Sequence, residues 1–144
     1  REDALTDLPA ELGECRGLEE LYLGGNFLTA PLPKCLALLG NLTHLDLSFN
    51  PLGACPHVIG SLLKLQVLNL SGTGIDSMDG VDWALLKDIR TLDVSFNTDL
   101  CVVPPSLCLL QQGGVLWKEF LAVACSFPPT ALSTFIEEGI LVQT

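Results

Sequence analysis

A single frame, L-x-x-L-x-L-x-x-N-x-L, recurs along this chain and constrains its fold more than any other feature. The frame begins at Leu18, Leu42, Leu65 and Ile89, so successive copies are 24, 23 and 24 residues apart. A unit of this length cannot bury its own apolar face and gains a core only by stacking on neighbouring copies. The sequence therefore predicts a solenoid whose outer faces stay available for binding.

The ninth place of the frame is asparagine in three of the four copies, at Asn26, Asn50 and Asn97. The chain turns away from the strand there, and a side-chain amide can bond backbone groups of adjacent turns that would otherwise be buried unpaired. Thr73 takes this place in the third copy. Because its hydroxyl is shorter, it can serve this asparagine ladder only in part, which predicts a locally looser third repeat.

Each frame is expected to begin with a short strand, at about residues 20–23, 44–47, 67–70 and 91–94. Leucines at the fourth and sixth places then face the stack, and the residues beside them face the concave side. Further apolar places in each copy predict short helices or loops on the convex side. The expected architecture is an α/β solenoid with a curved parallel sheet.

Both ends of the chain depart from the frame. Residues 1–17 match the second half of a repeat whose strand is missing, which predicts an array cut from a longer one. The repeats are expected to occupy residues 1–111. A degenerate last repeat follows, and then Pro128 opens a predicted helix that ends before Gly139. Residues 112–144 are therefore expected to close the stack as a C-terminal cap.

Charge and hydropathy narrow the classes of partner. The net charge of −10 argues against nucleic acid, whose phosphates would be repelled, and favours a neutral or basic protein. Lys118 and Glu119 interrupt the longest apolar stretch, so no membrane span is predicted. Cys55 and His57 lie close in sequence, but Cys55 takes a core place and no second ligand pair has metal spacing. No metal and no cofactor are expected.

The cysteines and the glycosylation sequons point to different compartments. Cys15 and Cys55 occupy leucine places and are interpreted as small buried hydrophobes. The other four lack the tight cluster that closes extracellular repeat arrays, which favours reduced thiols in the cytoplasm. They are Cys35, Cys101, Cys108 and Cys125. Against this, N-x-S/T sequons begin at Asn41 and Asn69, although such triplets arise easily inside this repeat.

The repeated frame resembles that of the leucine-rich-repeat superfamily along the whole chain. Within it, LPAEL at residues 8–12 and VPPSL at residues 103–107 resemble the L-P-x-x-I/L signature of the Ras-group intracellular subclass. Ras suppressor proteins and the Scribble and Erbin group belong to that subclass. The segment at Met78 departs from the signature because it lacks the proline. The resemblance implies a cytoplasmic signalling or scaffold protein without catalytic activity of its own.

One strand collects the residue types of a hydrolytic triad, at His44, Asp46 and Ser48. Side chains at i and i+2 of a strand have bases roughly 6.5 to 7 Å apart, so alternation alone does not bring such groups together. The sequence indicates neither an oxyanion site nor an enclosing pocket. The chain is therefore expected not to be an enzyme.

The concave face is the expected protein-binding surface, since adjacent strands place its variable residues in columns about 4.8 Å apart. The expected columns are Glu20, His44, Val67 and Thr91, then Tyr22, Asp46, Asn69 and Asp93, with Gly25, Phe49, Gly72 and Phe96 near the edge. The predicted binding residues are Glu20, Tyr22, His44, Asp46, Phe49, Asn69, Thr91, Asp93 and Phe96. Acidic groups with aromatic anchors suit a partner protein that presents Arg or Lys. Taken singly, each could be an ordinary solvated position, with the phenylalanines packing against the turn.

Three classes of function stay open on the sequence. A cytoplasmic interaction scaffold leads, because it follows from the subclass resemblance and the unclustered thiols. A secreted or cell-surface recognition module is the alternative, which glycan on Asn41 or Asn69 would favour. The third is the substrate-recruiting part of an enzyme whose catalytic domain lies outside this segment.

Overall fold

The computed structural model describes residues 4–100. The predicted cap over residues 112–144, the end of the fourth frame and three cysteines fall outside the described residues. Those cysteines are Cys101, Cys108 and Cys125.

The four copies of the frame each contribute one short strand to a single parallel sheet, in the order β1-β2-β3-β4. The strands are β1 Glu20–Tyr22, β2 His44–Asp46, β3 Val67–Asn69 and β4 Thr91–Asp93. The backbone ladder runs one residue further, since the Leu23 amide donates to the Asp46 carbonyl at 2.8 Å and the Leu47 amide to Asn69 at 2.9 Å. The predicted parallel solenoid is confirmed, with strands one residue shorter than expected.

The core of the stack is a set of leucine rows. Leu21, Leu45, Leu68 and Leu92 face one another across the strands. The last three are buried, whereas Leu21 is only half-buried, because no described repeat covers its outer side. Burying one leucine side chain stabilises a fold by roughly 1.5 to 3 kcal/mol. The repeated rows are therefore the main source of stability in this sheet.

The convex side consists of 3-10 helices. They span Ala10–Glu14, Lys34–Leu38, His57–Ser61 and Trp83–Leu85. A proline precedes each of the first three, at Pro9, Pro33 and Pro56. Proline suits this place because its φ is fixed near the helical value and it has no N–H to leave unpaired. The fourth helix has Asp82 at this place instead, and the Asp82 side chain accepts a hydrogen bond from the Ala84 amide.

The buried asparagines tie each repeat to the one before it. Asn50 Nδ2 donates to the carbonyls of Leu23 and Leu47, both at 2.9 Å, and its Oδ1 accepts from the Leu28 amide at 3.0 Å. The amide therefore pairs backbone groups in its own repeat and in the preceding one. Asn97 repeats the arrangement with the carbonyl of Leu70.

Thr73 interrupts this ladder at one step. Its hydroxyl donates to the Leu70 carbonyl in its own repeat at 2.7 Å, and its side chain is fully buried. The Leu52 amide, which corresponds to the Leu28 amide one repeat earlier, donates to the Asn50 carbonyl instead, at 2.8 Å. A hydroxyl has one donor and a short reach, so the side-chain link from the third repeat back to the second is missing.

The burial of the cysteines differs from the prediction at one place. Cys55 is buried, as expected for a leucine place, but Cys15 is exposed. Cys15 ends the first 3-10 helix, where Leu39 and Leu62 end the second and third. Those two leucines lie between two repeats and are fully buried. No repeat within residues 4–100 precedes Cys15, so nothing there covers its thiol.

Each described helix has five residues or fewer. Among residues 4–100, no helix has the length and apolar content needed to cross a bilayer.

Candidate functional site

The parallel register builds two columns on the concave face of the sheet. Glu20 pairs with His44, His44 with Val67 and Val67 with Thr91, while Tyr22, Asp46, Asn69 and Asp93 follow in the same way. These are the columns expected from the frame. Glu20, Tyr22 and Thr91 are exposed, and the other members are half-buried. The face therefore presents side chains from four repeats to one partner.

The second column is braced by serines that the sequence reasoning missed. Asp46 Oδ1 accepts from the Ser48 amide at 2.9 Å and from its hydroxyl at 2.6 Å. Asn69 binds Ser71 in the same way, at 3.0 and 2.7 Å. The pattern D/N-x-S at this place is the signal that could have found this turn, since short polar side chains readily bond the backbone two residues on.

The fourth repeat has the same turn, and this sets what its carboxylate can do. Asp93 Oδ1 accepts from the Ser95 amide at 2.9 Å and from its hydroxyl at 2.6 Å. A carboxylate has two oxygens and several acceptor sites, so Oδ2 stays available to a partner. Asp46 is engaged in the same manner. Asn69, between them, offers an amide group in place of the second oxygen.

The exposed edge of the first repeat carries a tyrosine and a glutamate in contact. The Tyr22 hydroxyl donates to Glu20 Oε1. This hydrogen bond raises the pKa of Tyr22, and the negative charges of Glu20 and Asp46 raise it further. The phenol therefore stays protonated near neutral pH, and its surroundings are negative.

His44 is not arranged as the base of a hydrolytic triad. Its Nδ1 pairs with the Thr43 hydroxyl at 2.8 Å. The Ser48 hydroxyl instead donates to Asp46, and Ser48 is buried beneath the face. A nucleophile must contact its base and reach a substrate, and this serine does neither. The three residue types serve the turn and the strand.

Two phenylalanines stand at the edge of the concave face in an unusual backbone conformation. Phe49 and Phe96 have φ of 54° and 59°, and Gly25 and Gly72 occupy the same place in the other repeats with φ of 73° and 62°. This left-handed region suits glycine and costs free energy for other residues. Both side chains are largely exposed, at 57% and 71%. Their burial does not explain why phenylalanine stands there.

The two rings meet across the repeat that separates them. Their centroids are 6.0 Å apart and the planes are tilted by 41°. Gly72 lies beneath, and a Cβ on it would come 2.5 Å from Phe49 Cδ1 and Cε1. The ring therefore occupies the space that any other residue at position 72 would need. The phenylalanine does pack against a turn, but that turn belongs to the next repeat.

Within residues 4–100, no group of His, Cys, Asp and Glu side chains is arranged to hold a metal ion. The described cysteines, Cys15, Cys35 and Cys55, are free thiols. Burial raises the pKa of the Cys55 thiol to about 12, so it stays protonated and is a poor ligand and nucleophile.

A separate cleft lies beside the starts of the second and third 3-10 helices. Its volume is about 730 Å³, and most of its lining is alanine, proline and valine. Lys34 and His57 line it as well. No sequence motif marks this cleft, because its walls come from two repeats whose apolar residues serve the fold in the same way elsewhere.

Known proteins similar to this chain are repeat proteins, among them receptors. The sequence profile of the Leucine Rich Repeat family matches residues 17–39 and 41–62. Toll-like receptor 9 of Felis catus is 38% identical over 101 residues, which cover 65% of this chain and 10% of the receptor. The platelet glycoprotein Ib alpha chain of Mus musculus is 39% identical over 93 residues, which cover 65% of this chain and 12% of that protein. The chain thus spans about a tenth of the length of these relatives.

Solved structures give the same result. The leucine-rich-repeat ectodomain of the Arabidopsis receptor kinase HAESA, solved with the peptide hormone IDA, superposes with a TM-score of 0.61 at 31% identity. The match covers 73% of this chain and 18% of HAESA. The ectodomain of the receptor kinase SOBIR1 from Arabidopsis thaliana superposes with a TM-score of 0.62 at 25% identity, over 81% of this chain and 63% of that one.

These similarities correct the predicted location. The cytoplasmic prediction is wrong, because the similar proteins include Toll-like receptor 9, and the matched parts of HAESA and SOBIR1 are ectodomains. The Ras-group subclass is likewise not supported. Its L-P-x-x-L signature arises here because Pro9 and Pro33 each precede a 3-10 helix, and Pro56 does the same after Cys55, without the first leucine of that signature. Such a helix start has the same physical requirement inside and outside the cell.

Proposed function

The chain is a leucine-rich-repeat protein, and we propose that it is part of an extracellular, receptor-type recognition module that binds a protein or peptide on its concave face. Repeats of this kind are binding modules, and their stacking exposes a broad sheet instead of an enclosed catalytic pocket. Since the chain spans about a tenth of its curated relatives, this proposal concerns the recognition segment of a larger protein.

The observation that carries the proposal is the composition of the concave columns. Glu20 and Tyr22 are exposed, and Asp46 and Asp93 each keep one carboxylate oxygen outside the serine turns. Phe96 adds an exposed aromatic ring at the edge. Aromatic anchors give short-range affinity, and charged groups beside them steer the encounter.

The distribution of charge favours a basic partner. Lys34 begins the second 3-10 helix on the convex side, and Lys64 Nζ donates to Asn41 Oδ1 away from the concave columns. Arg90 is an exception that the sequence reasoning passed over, since it immediately precedes β4. The acidic groups therefore dominate the concave face toward the phenylalanine edge, opposite the rim where Arg90 lies.

HAESA supports a peptide or protein as the type of ligand. Its ectodomain has been solved with the peptide hormone IDA, and also with the co-receptor SERK1. Those ligands belong to HAESA, and this chain is similar to 18% of it. The property that the two share is the leucine-rich-repeat fold.

The location is tested on the full-length protein in its native cells with a membrane-impermeant biotin reagent. An extracellular module is labelled on intact cells, and an internal protein of known location serves as the control. Labelling that occurs only after lysis would overturn the extracellular assignment.

A second candidate function is recruitment of a substrate or co-receptor for an attached catalytic domain. Receptor kinases among the similar proteins include HAESA, SOBIR1 and, at 37% identity over 88 residues, the receptor-like protein kinase HAIKU2 of Arabidopsis thaliana. A kinase domain in the full-length sequence would favour this candidate, and concave binding would then control an enzyme elsewhere in the protein.

A further inference from the structure

One place in each repeat adopts a positive φ, and it alternates between two residue types. Glycine occupies it at Gly25 and Gly72, and phenylalanine at Phe49 and Phe96. The amide at this place extends the backbone ladder, since Phe49 N–H donates to the Ser71 carbonyl at 2.9 Å. Glycine would satisfy the same backbone without strain. The fold therefore does not require phenylalanine at these two places.

The geometry joins the two phenylalanines into one exposed surface. The rings belong to repeats that are not neighbours, and they meet at 6.0 Å only because Gly72 between them has no side chain. More than half of each side chain remains exposed. The pair is thus a platform of two tilted aromatic faces at the edge of the concave sheet.

Two carboxylates end the strands that lead to these rings. Asp46 precedes Phe49 by three residues and Asp93 precedes Phe96 by three, on the same two repeats. Each carboxylate holds its serine turn with Oδ1, which fixes its orientation and leaves Oδ2 for a partner. A side chain that suits both features must be flat enough to stack on a ring and must carry positive charge.

We propose that the Phe49–Phe96 platform, with Asp46 and Asp93, is the docking site for an arginine side chain of the partner. This inference rests on the proposed concave binding function and deepens it. Guanidinium is planar, stacks on aromatic faces and presents a fork of donors that matches carboxylate, whereas the lysine ammonium is a compact, strongly hydrated point charge. The net charge of −10 on the chain adds long-range attraction for such a partner.

A random dodecapeptide library displayed on phage is selected on the full chain to test this. The inference predicts arginine enrichment above the unselected library. A selected peptide is then compared with its citrulline counterpart, in which the guanidinium is replaced by a neutral group of the same shape. Replacing arginine with citrulline is expected to weaken binding at least tenfold. Replacing it with lysine is expected to weaken binding measurably, but less than citrulline does.

The protein variant is Phe49→Gly with Phe96→Gly. Because glycine is native at the equivalent Gly25 and Gly72, this variant keeps the backbone and removes only the rings. It is expected to fold with an unchanged melting temperature or a higher one, and to lose at least tenfold in affinity. Phe27→Ser is the matched control, since Phe27 is also half exposed but stands outside the columns. It is expected to bind as the wild type does.

The outcomes separate this inference from the proposed function. Selected peptides that lack arginine, yet lose binding when Asp46 and Asp93 are both changed to Asn, would overturn the arginine site and leave concave binding standing. Peptides that bind both variants as they bind the wild type, for example in the cleft beside Lys34 and His57, would overturn both. The absence of any enrichment on the wild-type chain would also count against both.

Discussion

The side-chain amide of Asn50 donates to the main-chain carbonyl of Leu23, 27 residues earlier, at 2.9 Å. This bond links two successive repeats through a group that is almost fully buried. The Leu23 carbonyl also accepts from Asn26, whereas the buried Leu28 amide donates to Asn50 Oδ1 and would keep the cost of leaving water without it. The relationship makes Asn50 a structural residue whose replacement has a predictable effect.

Asn50→Leu is expected to lower the free energy of unfolding by roughly 1 to 3 kcal/mol, because it leaves buried backbone groups unpaired. Asn69→Ala is the comparison. Sequence reasoning treats that side chain as facing outward, but it accepts two hydrogen bonds from Ser71. Its loss should cost about 0.5 to 1.5 kcal/mol, less than that of Asn50. Urea denaturation of both variants measures the difference, and equal losses would contradict the assigned roles.

Thr73→Asn is expected to stabilise the protein by roughly 0.5 to 1.5 kcal/mol, the net value of a typical hydrogen bond. An asparagine there can reach the Leu47 carbonyl and the Leu52 amide, as Asn50 reaches the equivalent groups one repeat earlier. Thermal and urea unfolding check this. A destabilised variant would mean that the turn at position 73 cannot take the geometry of the other repeats.

Phe49→Gly is expected to leave stability unchanged or to raise it by up to about 1 kcal/mol, since relief of the left-handed conformation offsets the lost ring contacts. Phe27→Gly is the matched control, because Phe27 has no positive φ, so glycine there removes a half-exposed ring and adds chain entropy without relieving strain. That control should destabilise the protein. If calorimetry found Phe49→Gly less stable than Phe27→Gly, the positive φ would not determine the effect of glycine at position 49.

Removal of charge from the concave face is expected to weaken peptide binding without harming the fold. Asp46→Asn with Asp93→Asn is the appropriate variant, since Asn69 already holds the same serine turn with an amide. A peptide selected on the wild type should bind this variant roughly tenfold or more weakly, and the wild-type affinity should fall as salt rises. The convex variant Lys34→Ala with Lys64→Ala serves as the control. Loss only in this control would place the interface on the other side of the solenoid.

Thiol chemistry should distinguish Cys55 from Cys15. With its pKa raised to about 12, Cys55 stays protonated at pH 8 and should resist iodoacetamide in the folded protein, whereas exposed Cys15 should react. Above pH 9 the unfolded chain loses this proton and the folded chain keeps it. The stability contributed by Cys55 is therefore present below about pH 9 and falls as pH rises toward 12. Peptide mapping by mass spectrometry identifies the labelled thiols, and equal labelling would contradict the burial.

The sequence predicts the parts of this fold that depend on the repeat period. The columns through His44 and Asp46 follow from the frame because parallel strands of stacked repeats must pair in register. The serine braces do not follow from the period, because their signal is the local D/N-x-S pattern within one turn. The contact between Phe49 and Phe96 depends on Gly72, which has no side chain and lies in the repeat between them. The predicted burial of Cys15 is wrong, because a thiol at this place is buried only where a preceding repeat covers it.

The prediction of a cytoplasmic location is wrong for a different reason. Neither the proline signature nor the unclustered thiols mark a compartment. Pro33 and Pro56 instead start 3-10 helices, and Cys55 fills an apolar place in the core. Both features satisfy local requirements of folding, and they carry no information about the side of the membrane.

The contact between Phe49 and Phe96 also bears on how this array unfolds. In a solenoid each repeat ordinarily touches only its neighbours, so cooperativity passes along the array one interface at a time. These rings reach over the third repeat, where Thr73 leaves the side-chain ladder interrupted. A ligand that covers both rings would hold together the repeats on either side of that joint. Binding would then lengthen the segment that unfolds as one unit. The ligand would thus increase the cooperativity of unfolding across the array.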